Sequence, residues 1–519
     1  AWVVRLPAVL LGSGTLAFLF FSARHLYGQR AAWLTLLLLL ATPANVAMNF
    51  VMTIDSPLAF GWAMSFWAIT KTIFPRHEKT TAQMVARSLR ERNDPPAGNE
   101  EAEAATRCGT AASNALGGTA RNAVTPWAWH LAAVGVILAT LAKQMGIFLV
   151  VLPVLAWLAM RSRPPQFWLR WPVLLVAVSI AAMPVLGWNV ANGFVTFTHT
   201  GEHFEAAPWT PAEVLNTLPE FLASQWGLLN PVLATVLAAL IVGGLRSFRH
   251  LADRERFLFV WGPLPLLIFV ALAFRQRVHP NWPLVFYLPC FVLLGGFFAG
   301  EIQRWTGSVF RKWLKPSLAV GITLVALMMA LPPVLPAMGL AGSRIDGFHR
   351  MRGWEELSQR TLSAWLAVSL PGLQQRSTGT APGEVEIVEL TVRRPDSPPE
   401  GTEVHVAQPR GATWAPIVAF APRHPVDALT FYLPGHPRVY RWSERGIETQ
   451  HELWPGPGEH FGKDVLVFSD TRFEEHPADG TVFRACFERL EFLEKIEVII
   501  GPTRTREYWL YRGINLHAW

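Results

Sequence analysis

Residues 275–283 read RQRVHPNWP, with Arg275, Arg277, His279, Asn281 and Trp282 crowded between two long apolar runs. Guanidinium groups grip phosphate oxygens through a fixed fork of donors. An indole ring offers a flat apolar face beside them. Other polar groups recur at the ends of apolar runs. TIDSPLAF carries Asp55, LAKQMG carries Lys143, and GWNVANGFVTFTHTGEHFE carries Trp188, Asn189, His199, Glu202 and His203. ASQWGLLNP adds Gln225 and Asn230. Charge at membrane depth is expensive and marks a site, a partner or an aqueous cavity. As a set, these residues suit an anionic lipid head group that carries a polar, ring-shaped cargo.

Each residue also has a plainer reading. Asp55, followed by Ser56 and Pro57, can serve as a helix cap. Lys143 can snorkel to the interface. Trp188 and Trp282 can be belt anchors, and His199, Glu202, His203 and His279 can be solvated loop residues. The plain reading is weakest for Arg275 and Arg277, because they lie on the side that the charge rule leaves poor in cations. The spacing of the histidines and Glu202 matches no metal site.

The elements that must position these groups are membrane helices. The chain has 519 residues, 51% of them apolar and only 16% charged, well under the roughly 25% charge of soluble domains. The apolar residues concentrate before residue 340. Spans of about 20 residues are expected near 6–23, 31–50, 57–74, 127–142, 145–160, 170–188, 217–244, 255–274, 283–300 and 317–338. Pro184 suggests a kink or early end in its run. The net charge of +7 does not point to nucleic acid, because the basic residues flank apolar runs instead of forming a tract. Loops holding Arg24 and Arg30, Lys71 to Arg121, Arg161 to Arg170, Arg246 to Arg256 and Arg304 to Lys315 are the basic set. By the positive-inside rule they are cytoplasmic. Asp55, Lys143, residues 189–216, Arg275, Arg277 and everything after 340 then face outward. Cys108, Cys290 and Cys486 match neither a metal spacing nor a disulfide framework.

The expected organisation is a transmembrane domain over 1–340, a hydrophilic cytoplasmic insert at 75–125 with too few apolar residues for a core, and a water-exposed α/β domain over 341–519. In the tail, 350–366 and 481–493 read as helices. WAPIVAFA, DALTFYL, KDVLVFS, KIEVII and REYWLYR read as strands, and 370–387 as a linker. The opening AWVVRLPAVLL has no initiator Met and runs straight into an apolar helix. The expectation is that a helix and an outer loop precede residue 1.

The run from VRLPAVLL to LLLLLATP, with TIDSPLAF, LAKQMG, PVLGWNVANGFVTF, SQWGLLNP and RVHPNWP, resembles the family 39 glycosyltransferases. These are the bacterial relatives of protein O-mannosyltransferases and of the lipid A aminoarabinose transferase. In the tail, RMRGWEEL, ALTFYLPGHPRVYRW, HELWPG and GKDVLVF extend the likeness more weakly. No single motif is strict; order and spacing carry the resemblance, which spans nearly the whole chain except 75–125.

The resemblance implies a polytopic GT-C membrane fold, in a bacterial inner membrane, with the C-terminal domain periplasmic or extracellular. It implies a polyprenyl-phosphate sugar donor, a lipid, glycan or protein acceptor, and transfer with inversion on the outer face. Asp55 matches the second acidic position of the family, in a TxDxP-like motif. Lys143 matches an outer-loop lysine, although Gln144 beside it is less typical. Arg5 matches the basic residue of the RLP segment near the donor phosphate. The family's main catalytic carboxylate belongs to the loop expected before residue 1. On this reading Arg5, Lys143, Arg275 and Arg277 meet the donor phosphate. Trp188, Asn189, Glu202, His203, His279, Asn281 and Trp282 meet the substrates. Asp55 can orient the acceptor or a divalent metal, but one carboxylate defines no metal site. The competing readings are a transporter or flippase of lipid-linked sugars, for which no transporter repeats are visible, and a non-catalytic membrane scaffold.

Overall fold

The computed structural model describes residues 2–75, 126–202, 210–302, 308–369, 388–393, 403–408, 414–444, 446–502 and 504–519. The expected insert at 75–125, apart from Pro75, and the 370–387 linker lie outside the described residues, as does Cys108. The chain divides into two compact units, Ala1–Met329 and Ala330–Trp519. The first is a polytopic α-helical membrane domain and the second is a β-rich soluble domain. The chain is thus a multi-pass membrane protein with a C-terminal soluble domain.

In the first unit the helices are α1 (Trp2–Tyr27), α2 (Gln29–Leu40), α3 (Pro43–Phe50), α4 (Asp55–Ile73), α5 (Pro126–Ala142), α6 (Phe148–Ala159), α7 (Gln166–Arg170), α8 (Pro172–Ala191) and α9 (Val195–Glu202). They continue with α10 (Pro211–Leu229), α11 (Pro231–Ser247), α12 (Asp253–Trp261), α13 (Pro263–Leu272), α14 (Leu284–Ala299) and α15 (Leu314–Ala337), the last crossing into the second unit. Among the described residues, five helical stretches are long and apolar enough to cross a membrane, or six if α2 and α3 form one bent span. Leu175, Val176, Ile180, Met183 and Val190 leave one side of α8 apolar and exposed, as a lipid-facing surface requires.

Two expected spans are broken, each at a proline. The 31–50 run bends by 74° between α2 and α3. Pro43 lacks an N–H and pushes Thr42 out of the helical region, to φ −115°, ψ 116°. The 217–244 run breaks at Asn230–Pro231, whereas Asp253–Leu272 is long and apolar enough to cross as one stretch, with a single turn residue at Gly262. Conversely, α8 passes through Pro184 and ends only at Ala191. Inside the unit, Trp62, Phe66, Trp261 and Phe286 are fully buried and lock α4, α12 and α14 together. Trp62 meets Phe286 edge-on at 5.1 Å, and Phe66 meets Trp261 at the same separation.

The second unit holds α16 (Trp354–Ser369), β1 (Val388–Arg393), β2 (Glu403–Gln408), β3 (Ile417–Phe420), α17 (Arg423–Tyr432), β4 (Val439–Arg441), α18 (Gln450–Leu453), β5 (Val465–Ser469), α19 (Thr481–Arg484), β6 (Phe487–Gly501) and β7 (Arg504–Leu516). Its five-stranded sheet has the order β4-β3-β5-β7-β6, and β1 pairs with β2 separately. β3 is parallel to β4 and to β5, whereas β7 is antiparallel to both β5 and β6. β5 reads VLVFS and is buried throughout, the pattern of a strand covered on both faces.

Two expectations in this unit are corrected. DALTFYL is not a strand; it lies mostly in α17, where Val426 and Leu429 repeat at helical spacing and face the core. Of 481–493, only Thr481–Arg484 is helical. From Phe487 the chain is β6, held by antiparallel pairing along β7.

Asp346 braces the turn ahead of α16. It is buried and accepts hydrogen bonds from the Gly342 N–H (2.9 Å), the Phe348 N–H (3.0 Å) and Arg352 Nε (2.9 Å). Burial alone would raise its pKa. The Gly342, Arg352 and Phe348 hydrogen bonds, with the charge of Arg352, outweigh burial and hold the carboxyl below its ordinary value. A depressed folded value contributes stability that is present above the unfolded carboxyl value of about 3.9 and is lost as pH falls through the folded value. Asp346→Asn is expected to destabilise the protein at neutral pH and to flatten the acid limb of its stability curve. Melting temperatures below about pH 5 check this. Parallel acid limbs in variant and parent would refute it.

Candidate functional site

Close packing of two helices builds the site. Gly61 and Ser65 of α4 face Ala132, Gly135 and Ala139 of α5 in antiparallel order. Ser65 Oγ donates to the Ala132 carbonyl at 2.8 Å. A Cβ on Gly61 would lie 2.6 Å from the Gly135 carbonyl oxygen. One on Gly135 would lie 2.3 Å from Ser65 Oγ. Only glycine permits this approach, the small-residue packing typical of membrane helices. The start of α4 therefore lies beside the end of α5, so Asp55 meets the segment just after Ala142. That segment is itself constrained. A Cβ on Gly146 would lie 2.3 Å from the Thr140 nitrogen, so the chain doubles back over the end of α5 and holds Lys143 extended, at φ −157°, ψ 141°. Gly135→Leu is expected to force the helices apart at a cost of about 1–3 kcal/mol, read as a lowered thermal midpoint in detergent. An unchanged midpoint would refute the close contact.

Lys143 Nζ donates to Asp55 Oδ1 at 2.9 Å, and the two side chains are only 18% and 12% exposed. Asn281 Nδ2 donates to Asp55 Oδ2 at 3.3 Å. Three segments distant along the chain thus meet at one carboxylate. The Asp55 N–H donates to Thr53 Oγ1 at 3.3 Å, and Ser56 Oγ donates to the Met48 carbonyl at 2.8 Å, bracing the entry to α4. Asp55 is the first residue of α4, where the helix dipole favours a negative charge. Its side chain caps no backbone N–H of that helix; both oxygens turn to other elements.

The 275–283 segment is pinned from beneath. Gln225 Nε2 donates to the Pro280 carbonyl at 3.3 Å, and Tyr287 Oη donates to Gln225 Oε1 at 2.9 Å. Val278 is buried under the loop. His279 packs against Trp282 with ring centres 5.4 Å apart. Arg275 is exposed. Arg277 pairs with Glu220 at 2.8 Å, with side chains 70% and 60% exposed, so that pair contributes about 0–1 kcal/mol.

Other residues singled out in the sequence are not brought to Asp55. Arg5 is an exposed residue of α1. Trp188 is half-buried near the end of α8. Asn189 is fully buried and serves its own segment, donating to the Val185 carbonyl at 2.8 Å and accepting from the Thr196 N–H at 3.1 Å. Asn230 is a buried cap of α11, accepting from the Leu233 N–H at 2.9 Å. His199 and Glu202 lie in α9, but their side chains fall outside the described structure, as does His203 altogether. Among the described residues, no group of three or more His, Cys, Asp or Glu side chains is placed to hold a metal ion. Sequence reasoning missed Tyr287 and Glu220. Tyr287 sits within an apolar run with no local polar pattern to flag it, and Glu220 reads as an ordinary helix charge.

Residues 1–84 match the family model described as dolichyl-phosphate-mannose-protein mannosyltransferase. No curated protein matches the chain. Among solved structures, the chain is similar to ArnT from Cupriavidus metallidurans in the apo state. That match has 15% identity, a TM-score of 0.49, and covers 99% of this chain and 84% of that one. The same protein bound to undecaprenyl phosphate gives 15% identity and a TM-score of 0.49, covering 100% and 85%. The oligosaccharyltransferase of Archaeoglobus fulgidus in the apo form gives 14% identity and a TM-score of 0.37, covering 91% of this chain and 59% of that one.

Proposed function

We propose that this protein transfers a sugar from a polyprenyl-phosphate donor to a hydroxyl of a lipid, glycan or protein acceptor, at the outer face of a bacterial inner membrane. The observation that carries this reading is the meeting of Asp55, Lys143 and Asn281 at the ends of membrane helices. The family match over residues 1–84 supports it, since that stretch contains Arg5 and Asp55. The loops that bear Lys143 and Asn281 belong to the cation-poor set, so the positive-inside rule puts the cluster outside.

In the reaction, the acceptor oxygen attacks C1 of the sugar and a new C1–O bond forms. The C1–O bond to phosphate breaks, and polyprenyl phosphate leaves with the electron pair. A single displacement inverts the anomeric carbon. The hydroxyl proton passes to a carboxylate, and Asp55 is the carboxylate that this cluster offers. Its Oδ2 holds only the long bond to Asn281 and can accept from an incoming hydroxyl. Lys143, fixed by Oδ1, supplies positive charge for the departing phosphate. Arg275, exposed in the segment that carries Asn281, is a second cation for that phosphate. Arg277 shares its charge with Glu220. His279 and Trp282 present rings on which the sugar can rest.

The test reconstitutes the protein in liposomes with a radiolabelled polyprenyl-phosphate sugar and candidate lipid, glycan and peptide acceptors. Labelled acceptor and free polyprenyl phosphate should form in equal amounts. A donor that is moved across the bilayer intact, with no bond broken, would replace this reading with a flippase.

A further inference from the structure

The soluble unit contains a cleft of about 1000 Å³ that the transfer chemistry does not use. We propose that it is a binding site for a neutral oligosaccharide. The cleft begins at the carboxyl ends of β3 and β5. From β3 the chain turns through α17 to β4 on one side, whereas β5 lies on the other side. The chain thus changes direction at the β3/β5 boundary, where open α/β sheets leave a crevice for ligands. Pro422, just past β3, and Asp470, just past β5, line this end.

From there the cleft follows α17, whose ten residues extend about 15 Å at 1.5 Å per residue. Val426 and Leu429 turn one side of this helix into the core. His424, Asp427 and Phe431 recur at helical spacing along the cleft. Phe431 and Tyr432, at the C-terminal end of α17, line it and are 54% and 46% exposed.

The second observation is Tyr508. Its side chain belongs to a residue only 6% exposed, and it lines the cleft. It lies across the sheet from Asp470, one step beyond the Ser469–Trp509 pair. Asp470 is exposed, and its carboxylate accepts a 3.4 Å contact from Thr471 Oγ1 and lies near its own N–H and the charge of Arg441.

The chemistry selects the ligand class. Arg506 is not free to grip an anion. Its guanidinium stacks 3.8 Å from the centre of the Trp354 ring and donates to the carbonyls of Arg352, His349 and Arg350. Asp427 is paired with His451 and Glu507 with Lys495, which leaves Asp470 as the exposed acceptor. A phosphate would face that carboxylate. A sugar would donate its hydroxyls to Asp470 and Tyr508 and lay its apolar C–H face on Phe431 and Tyr432.

The inference is independent of the transfer reading, and its test separates the two. The full chain in detergent is mixed with maltotriose and with methyl glycosides of glucose, mannose and galactose, and saturation transfer to the sugar is read by NMR. Transfer to ring C–H protons of at least one sugar is expected. Phe431→Ala and Asp470→Asn should each weaken it about fivefold without changing the melting temperature, because both side chains are exposed. Asp55→Asn should leave it intact. No transfer to any sugar would overturn the proposal. So would transfer insensitive to both cleft variants, displacement of the sugar by inorganic phosphate, or loss of binding in Asp55→Asn.

Discussion

Replacing Asp55 by Asn is expected to lower kcat/KM for sugar transfer by roughly 10²–10⁴-fold, the contribution typical of a positioned acid–base group. The amide has nearly the same shape but neither takes a proton nor carries charge. Oδ1 now fixes the Lys143 ammonium at 2.9 Å, and an amide in that place would hold it less firmly. The variant therefore removes two functions together, proton acceptance and placement of the cation. Lys143→Met removes only the second, so its loss should be smaller. Groups acting as a unit are not additive. The double variant should accordingly fall little below Asp55→Asn alone. Initial rates with the same lipid-linked donor measure all three, and circular dichroism confirms that the helices persist. An Asp55→Asn rate within threefold of the parent would remove Asp55 from the chemistry.

How far the molecule can be read from its sequence depends on which interactions are local. Asp55, Lys143 and Asn281 stand out because a polar group at the end of an apolar run is costly and needs a reason. Their contact with one another is not written locally. It depends on Gly61 and Gly135, seventy-four positions apart, lying against each other's backbone. Glycines in membrane helices are common, so the pair carries no distinctive pattern. The same blindness explains Asn189 and Asn230. Sequence shows a polar residue near a helix end. It does not show that the side chain is fully buried and occupied by neighbouring backbone groups. In the soluble unit, β3, β5 and the strands containing KIEVII and REYWLYR follow their β-branched and aromatic composition. DALTFYL has a similar composition but is mostly helical, because Pro422 and the burial of Val426 and Leu429 decide otherwise. Tertiary burial overrides propensity there, as it commonly does for short apolar runs.

The largest stability loss is expected from Arg441→Ala in the soluble unit. Arg441 ends β4 with its side chain only 8% exposed. Nε donates to the Ala421 carbonyl at 2.9 Å, and the guanidinium pairs with Glu448 at 2.7 Å and with Glu452. Glu452 is 9% exposed and also accepts from the Thr449 N–H at 2.6 Å, closing the cap of α18. Truncating the arginine leaves a buried carboxylate without its cation, which costs about 3–5 kcal/mol. For a unit of this size, each kcal/mol lowers the melting point by roughly 2–4 °C, so a fall on the order of 10 °C should follow. Arg360→Ala breaks the exposed pair with Glu356 and should shift the melting point little, because such pairs contribute about 0–1 kcal/mol. Adding Glu452→Leu to Arg441→Ala should recover part of the loss, since it removes the stranded charge along with its lost partner. Recovery would show that the damage came from an uncompensated carboxylate. Equal melting points for Arg441→Ala and Arg360→Ala would show that the network is effectively solvated. Arg441 also lines a second recess with Pro422 and Asp470, at the same edge of the sheet as the proposed sugar cleft. The ion network therefore holds the strand ends on which that cleft depends, and Arg441→Ala should weaken sugar binding by disordering the edge, whereas Asp470→Asn should weaken it with the fold intact.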